Sequence, residues 1–296
     1  MITVIVCSVN PALAQQSKEN ILNTIGVPFE WIGIDNRIDP RGITAVYNEG
    51  ARRARYDTLV FVHEDVAFQT PNWGKLLLDI FQRHPRVGAV GVAGSSYKSK
   101  HLSGWYTGIK ELDSCNVTHV DPDKNSEHLF FHPNSDCQLE RVVVIDGVFM
   151  ATRKTVWEKV GFDEQNLKGF HFYDIDFSLR ASWVTELMVT LQIDLLHFTT
   201  GGDFGDKWVE QALIWHHLEH IRNRLPASCT TSSIPASTAS RIARTWFSFL
   251  MKKKINYSNR FIWVFKQGFR NSFQNAFSVG AFLVYPVLRK TWRAKK

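Results

Sequence analysis

The sequence has little that would assign it quickly. Its four cysteines, Cys7, Cys115, Cys137 and Cys229, are scattered with no close pair. That spacing supports neither a zinc knuckle nor a disulfide framework, so reduced thiols in a reducing compartment are expected. No internal repeat is visible. The apolar stretch Phe277–Leu288 is 12 residues long and interrupted by Pro286, short of the roughly 20 that span a bilayer as helix. The opening "MITVIVCSVNP" has no basic leader and reads as a first strand rather than a signal peptide. A cytoplasmic protein is the expectation. Acidic residues are absent from Arg241 onward, where 13 Lys or Arg stand alone. Set aside from the overall +7, they leave −6 on residues 1–240, so the basicity belongs to the tail.

What is present is a regular alternation. Strand-like runs recur at Ile2–Val9, Glu30–Asn36, Thr58–Glu64, Val87–Ala93, Val142–Ala151 and Leu187–His197. Helical patterns lie between several of them, at Gln15–Ile25, Ile43–Arg55, Trp73–Arg83 and Tyr173–Val184. Strands apolar on both faces, alternating with helices, predict an α/β domain with a mainly parallel sheet. Ligands then sit beyond the strand carboxyl ends, where Asp35–Asn36 and His63–Asp65 both fall. The stretch Ser95–Arg141, with His101, His119, His128 and His132, lacks periodicity and reads as a long surface loop whose histidines match no ligand spacing.

"PASCTTSSIPASTAS" (Pro226–Ser240) reads as a linker. The expected organisation is a catalytic domain at 1–225, a linker at 226–240 and a basic aromatic helical tail at 241–296. In that tail Phe261, Phe265, Phe269, Phe273 and Phe277 recur every four residues, flanked by Lys266, Arg270 and the cluster "MKKKIN". Such a stripe either packs on the domain or lies in a membrane interface with cations toward anionic head groups. The expectation is peripheral attachment to the inner membrane face. Nucleic acid is not expected as a partner, since a basic tail alone does not specify it.

The stretch "FVHEDVAF" (Phe61–Phe68) poses the chemical question, because a core strand ends in one imidazole and two carboxylates. Buried acids need a partner or a metal, and Mg²⁺ or Mn²⁺ takes oxygen ligands while bridging to phosphates. A solvated turn is the plainer reading. A second acidic pair, Asp174 and Asp176 in "YDIDFSLRA", stands where an apolar helix begins; helix capping is its plainer reading. His197 ends a third apolar run in "LLHFTTGGD", where a structural hydrogen bond is the ordinary role. Taken as one site, they suggest a metal at Asp65 with His197 as a further ligand, and Asp174 free as general base.

These segments resemble a GT-A fold glycosyltransferase of the family 2 type, in its StrF-like subgroup. The resemblance runs through Trp31–Val66, then "VIDGVFMATRKTVWEKVGFDE" (Val144–Glu164), "YDIDFSLRA" (Tyr173–Ala181) and "HFTTGG" (His197–Gly202). It implies a mixed, mainly parallel α/β GT-A fold, with Asp35, Asn36 and Asn48 near the nucleotide. Asp65 becomes the final acid of the DxD metal motif, with Glu64 beside the donor. Gly147 would let the backbone approach the donor sugar, since it has no Cβ. Asp174 becomes the catalytic base of an inverting enzyme, Asp146 and Asp176 lie on the acceptor side, and His197 completes the Mn²⁺ or Mg²⁺ site. Two positions depart from the pattern. His63 stands for the first DxD acid, where it can itself bind metal, and Tyr173 stands for the Glu of the ED pair. The implied activity is hexosyl transfer from a nucleotide-sugar donor to a glycan or lipid-linked acceptor, as in polysaccharide biosynthesis. The alternative is a non-catalytic nucleotide-sugar or glycan-binding assembly protein on a membrane.

Overall fold

The computed structural model describes residues 1–121, 126–133, 137–199, 204–230 and 234–267. Its centre is a seven-stranded sheet in the order Leu139–Val142, Glu186–Thr190, Val87–Gly91, Phe149–Arg153, Thr58–Val62, Ile2–Ser8 and Phe29–Asp35. Three of its pairings are parallel and three antiparallel, so the sheet is mixed. The Ile2–Ser8 strand shows why both faces are buried. Successive side chains leave a strand on opposite sides: Ile2, Val4 and Val6 pack with Ile21, Trp73 and Leu77, while Ile5 packs with Val46, Tyr47 and Phe177. The helices carrying those partners, Pro11–Thr24 and Trp73–Arg83 on one side, Ile43–Arg53 and Tyr173–Ala181 on the other, make a three-layer domain.

Two expected strands divide. Val142–Ala151 becomes Leu139–Val142, Val144–Ile145 and Phe149–Arg153, broken at Asp146–Gly147; Leu187–His197 becomes Glu186–Thr190 and Leu195–Phe198. The breaks matter, because each releases a short strand into a second sheet. That sheet runs Val144–Ile145, Ala93–Ser95, Asp113–Val120, Leu195–Phe198, Val66–Phe68, with Glu127–Phe131 paired on Asp113–Val120. The stretch Ser95–Arg141 is therefore not an irregular loop. Its turn is closed by the Asp113 carboxylate, which accepts from the amides of Thr107, Gly108 and Ile109 at 2.8–3.3 Å.

Within the span expected as linker, Ala227–Ser228 pairs with Tyr97–Lys98, and a helix begins at Ala236 and runs to Met251. Ile242, Trp246, Phe247 and Leu250 on that helix bury against Trp208, Val209 and Trp215. The next helix, Tyr257–Gln267, buries Trp263 and Val264, whereas Phe261 and Phe265 are 56% and 64% exposed. The described part of the aromatic stripe thus faces outward; Phe269, Phe273, Phe277 and Arg270 lie outside the described residues, as does the side chain of Lys266. No helix among the described residues is long and apolar enough to cross a membrane.

Candidate active site

The Thr58–Val62 strand delivers His63 to the rim, where its amide donates to the Val148 carbonyl at 3.3 Å. The chain turns and re-enters as Val66–Phe68, pairing antiparallel with Leu195–Phe198 so that His197 stands opposite Val66. The Phe198 amide donates to the Asp65 carbonyl at 2.9 Å. This ladder carries His197 to Asp65, 132 residues before it. His197 Nε2 is 3.5 Å from Asp65 Oδ2 and His63 Nδ1 is 3.9 Å from Asp65 Oδ1. One potential ligand atom from each of the three residues lies within 4.8 Å of the others. Asp65 Oδ1 is buried with no hydrogen-bond partner, a costly state for a carboxylate oxygen that a cation would relieve. Burial, with His197 nearby, pushes the His63 imidazole down to about 4, so it is neutral with a lone pair to offer. Two imidazoles and a carboxylate suit Mn²⁺ better than Mg²⁺, which prefers oxygen.

The Tyr173–Ala181 helix brings the other half. Phe172 precedes it at φ +67°, a left-handed conformation that costs a residue with a side chain roughly 1–2 kcal/mol; its ring is held by Trp208 and Trp215, at 5.2 and 5.6 Å between centroids. The helix is keyed to the second sheet by Ser178, whose Oγ accepts from the Ile145 amide at 3.0 Å. Asp174 Oδ2 accepts from the Gly147 amide at 3.0 Å, and Asp146 Oδ1 from the Val148 amide at 2.9 Å. Burial, then the Asp146 charge, pushes the Asp174 carboxyl up to about 7. His63, Asp65, His197, Asp146 and Asp174 all line one cleft of about 680 Å³.

The model of the glycosyltransferase-like family matches residues 3–196. The chain belongs to this family. None of the curated proteins compared matches it in sequence. Among solved structures, GalNAc-T7 with UDP, GalNAc and Mn²⁺ is similar at TM-score 0.51 and 9% identity, covering 72% of this chain and 47% of that one. The chain therefore spans about half the length of that enzyme. A mannosyltransferase from Pyrobaculum calidifontis, in complex with GDP-Man and Mn²⁺, gives TM-score 0.48 and 13% identity over 99% and 79% of the chains. TarS 1–349 from S. aureus gives 0.48 and 10% over 96% and 80%. The fold is GT-A.

The structure brings some of the expected residues to the cleft and places others elsewhere. Asp35 is exposed and ion-paired with Arg37 at 2.7 Å, which holds its carboxyl down at about 2. Asn36 braces its own loop through the Arg41 backbone. Glu64 turns away from the other two: its carboxylate accepts from Ser8 Oγ at 2.7 Å and from the amides of Val9 and Asn10, tying down the end of the first strand. Asn48, expected near the nucleotide, is buried beneath the Ile43–Arg53 helix. It donates to the Phe162 carbonyl and accepts from the Phe162 amide and Trp157 Nε1, at 2.9–3.0 Å. Asp176, expected on the acceptor side, has no exposed surface. It is ion-paired with Arg180 and accepts from Trp215 Nε1 at 3.1 Å. Both are structural residues outside the cleft. Gly147 lines the cleft and has a packing reason as well: a Cβ there would clash with the Tyr173 hydroxyl. His119, expected on a surface loop, lines the cleft with its ring 5.3 Å from that of His197. Its signal was available in "DSCNVTHV", where Cys115 and Val117 alternate with polar residues as a half-buried strand does.

Proposed function

We propose that the protein is an inverting, metal-assisted glycosyltransferase of hexosyl type that moves a sugar from a nucleotide-sugar donor to a hydroxyl of a glycan or lipid-linked acceptor. The observation carrying this reading is that the His63–Asp65–His197 group and Asp174 face the same cleft. His63, Asp65 and His197 would hold a divalent cation, which would supply positive charge to stabilise the leaving diphosphate. The chain's own part is the proton. Asp174, fixed through Oδ2 by the Gly147 amide, takes the proton from the acceptor hydroxyl as its oxygen bonds to the anomeric carbon and the carbon–diphosphate bond breaks. A single displacement inverts that carbon. The neighbour named with UDP, GalNAc and Mn²⁺ supports a nucleotide-diphosphate donor, and the StrF-like subgroup is the family reading that the four resembling segments suggest.

Attachment to the inner membrane face, in a cytoplasmic setting and in polysaccharide biosynthesis, belongs to the same reading. It is supported by the exposed Phe261 and Phe265 and the lysines at 252–254. The deciding experiment incubates the full chain with Mn²⁺ and UDP-, GDP- and dTDP-sugars, reading nucleotide release and donor affinity. One donor bound and turned over is expected; a folded protein that binds and turns over none overturns the reading.

A further inference from the structure

The cleft is two-sided. Besides the ionisable groups its lining includes an aromatic wall of Trp105, Tyr106, Phe204, Trp208, Trp246 and Phe249. Trp246 and Phe249 come from the Ala236–Met251 helix, and Phe204 and Trp208 precede it; all four lie beyond residues 3–196 that match the family, whereas Trp105 and Tyr106 lie within them.

The wall is rigid. The Trp208 and Trp246 rings stack at 5.0 Å with planes 1° apart, and Phe249 meets Phe204 edge-on at 4.7 Å. Trp246 Nε1 donates to the Tyr106 carbonyl at 2.8 Å, fixing the indole to the segment that forms the next part of the wall. Trp263 packs behind Trp208 at 5.5 Å. Lys253 sits at the edge with its ammonium 4.7 Å from the Phe249 ring centre.

The chemistry of this wall limits what it can face. A sugar ring brings a hydroxyl on nearly every carbon, and each needs a hydrogen-bond partner when taken out of water. Apart from Thr245 and the Tyr106 phenol, this side offers hydrocarbon and indole, continued by Val117, Leu129 and Phe131. The two indoles also stack on each other, so neither offers both faces to a sugar. Hydrocarbon entering here leaves no polar group unpaired and gains from the removal of its surface from water.

We propose that the C-terminal helix builds an acceptor subsite for an aliphatic aglycone, so that the acceptor is an amphiphile whose hydroxyl head reaches Asp174 while its chain lies along Trp246 and Phe249. This rests on the glycosyltransferase reading and narrows its acceptor from glycan or lipid-linked to lipid-linked. The lysine at the rim and the exposed aromatics of the following helix suit a chain arriving from an anionic bilayer.

The test has two arms that fail separately. In the first, methyl, hexyl and octyl β-glucosides and β-galactosides, with their p-nitrophenyl counterparts, are titrated into the full chain without donor. Concentrations stay below the micellar limit, and tryptophan fluorescence is read. Saturable binding at least about tenfold tighter for octyl than for methyl is expected, because each buried methylene is worth about fourfold. Trp246→Leu should erase that gain. Phe249→Ser, at a 38% exposed position where folding is not at risk, should reduce it several-fold. In the second arm, acceptor KM is measured with whichever sugar nucleotide turns over, and should fall with chain length while kcat holds. Equal affinity for methyl and octyl glycosides overturns the subsite, even with turnover. Preference for the p-nitrophenyl glycosides over octyl overturns the aliphatic assignment. Absence of donor binding, with the chain-length preference intact, overturns the transferase reading and leaves the subsite standing.

Discussion

His63 Nε2 lies 2.8 Å from the Tyr173 hydroxyl, and that hydroxyl donates to the Gly147 carbonyl at 3.1 Å. The two positions where the chain departs from its family's pattern are therefore in contact with each other. A phenol has one proton. The Gly147 carbonyl has none to give, so when it takes the tyrosine's, His63 donates its Nε2 proton to the phenol oxygen. That leaves Nδ1 unprotonated on the side facing Asp65. Tyr173 does for an imidazole ligand what a hydrogen-bond partner does for metal-bound histidines generally: it sets tautomer and ring direction.

Tyr173→Phe keeps the ring, which packs among Tyr47, Phe162 and Phe170, and removes only the acceptor oxygen. Mn²⁺ affinity should weaken about 10–100-fold with little loss of thermal stability. Calorimetric titration of Mn²⁺ into both proteins checks it, and an unchanged dissociation constant would remove the tautomer argument.

Asp65 carries the unpartnered buried oxygen, so metal should stabilise the fold. At 100 times its dissociation constant, Mn²⁺ should add about 2.7 kcal/mol, read as a higher melting temperature that EDTA reverses. Asp65→Asn should show neither the rise nor the reversal.

Asp174→Asn should cut turnover by about 10²–10⁴-fold while donor affinity holds. With the Asp174 carboxyl raised to about 7, the base is protonated and idle below that pH and ionised above it. The acidic limb of kcat/KM, which reports the free enzyme, should therefore rise through pH 7. Asp146→Asn removes the neighbouring charge and should move that limb to lower pH. A limb that stays in place would assign the proton transfer elsewhere.

Asp176→Asn should act on stability alone. It leaves Arg180, which also donates to the Val160 and Gly161 carbonyls at 2.6 and 2.8 Å, without its carboxylate. Breaking a buried pair costs about 3–5 kcal/mol. Denaturant melts should shift by that amount, while kcat per folded molecule stays near that of the parent.

Much of the frame was legible because burial writes itself into composition. Thr58–Val62 and Ile2–Ser8 are apolar on both faces, and the Trp73–Arg83 helix stands where its periodicity placed it. His63, Asp65 and His197 were each visible as a polar residue ending an apolar run. What brings them together is a strand pairing between residues 66–68 and 195–198, and long-range pairing leaves no local mark. Asn48 and Asp176 misled for the complementary reason. A buried side chain satisfied by backbone, indole and guanidinium looks in sequence like one waiting for a ligand. The tail was harder still: a period of four put Phe261 and Phe265 on one helical face, but the face that packs is the one holding Arg260, Trp263 and Val264.

The face-to-face seating of Trp246 on Trp208 also decides how this protein can be handled in the laboratory. Shortening the gene at codon 225, where the amino-acid pattern changes, would strip Trp246 and Phe249 from the pocket and lay bare Trp208, Val209 and Trp215. The resulting fragment would be sticky and prone to precipitate, and its inactivity would say nothing about the chemistry. Expression should run at least through Val264.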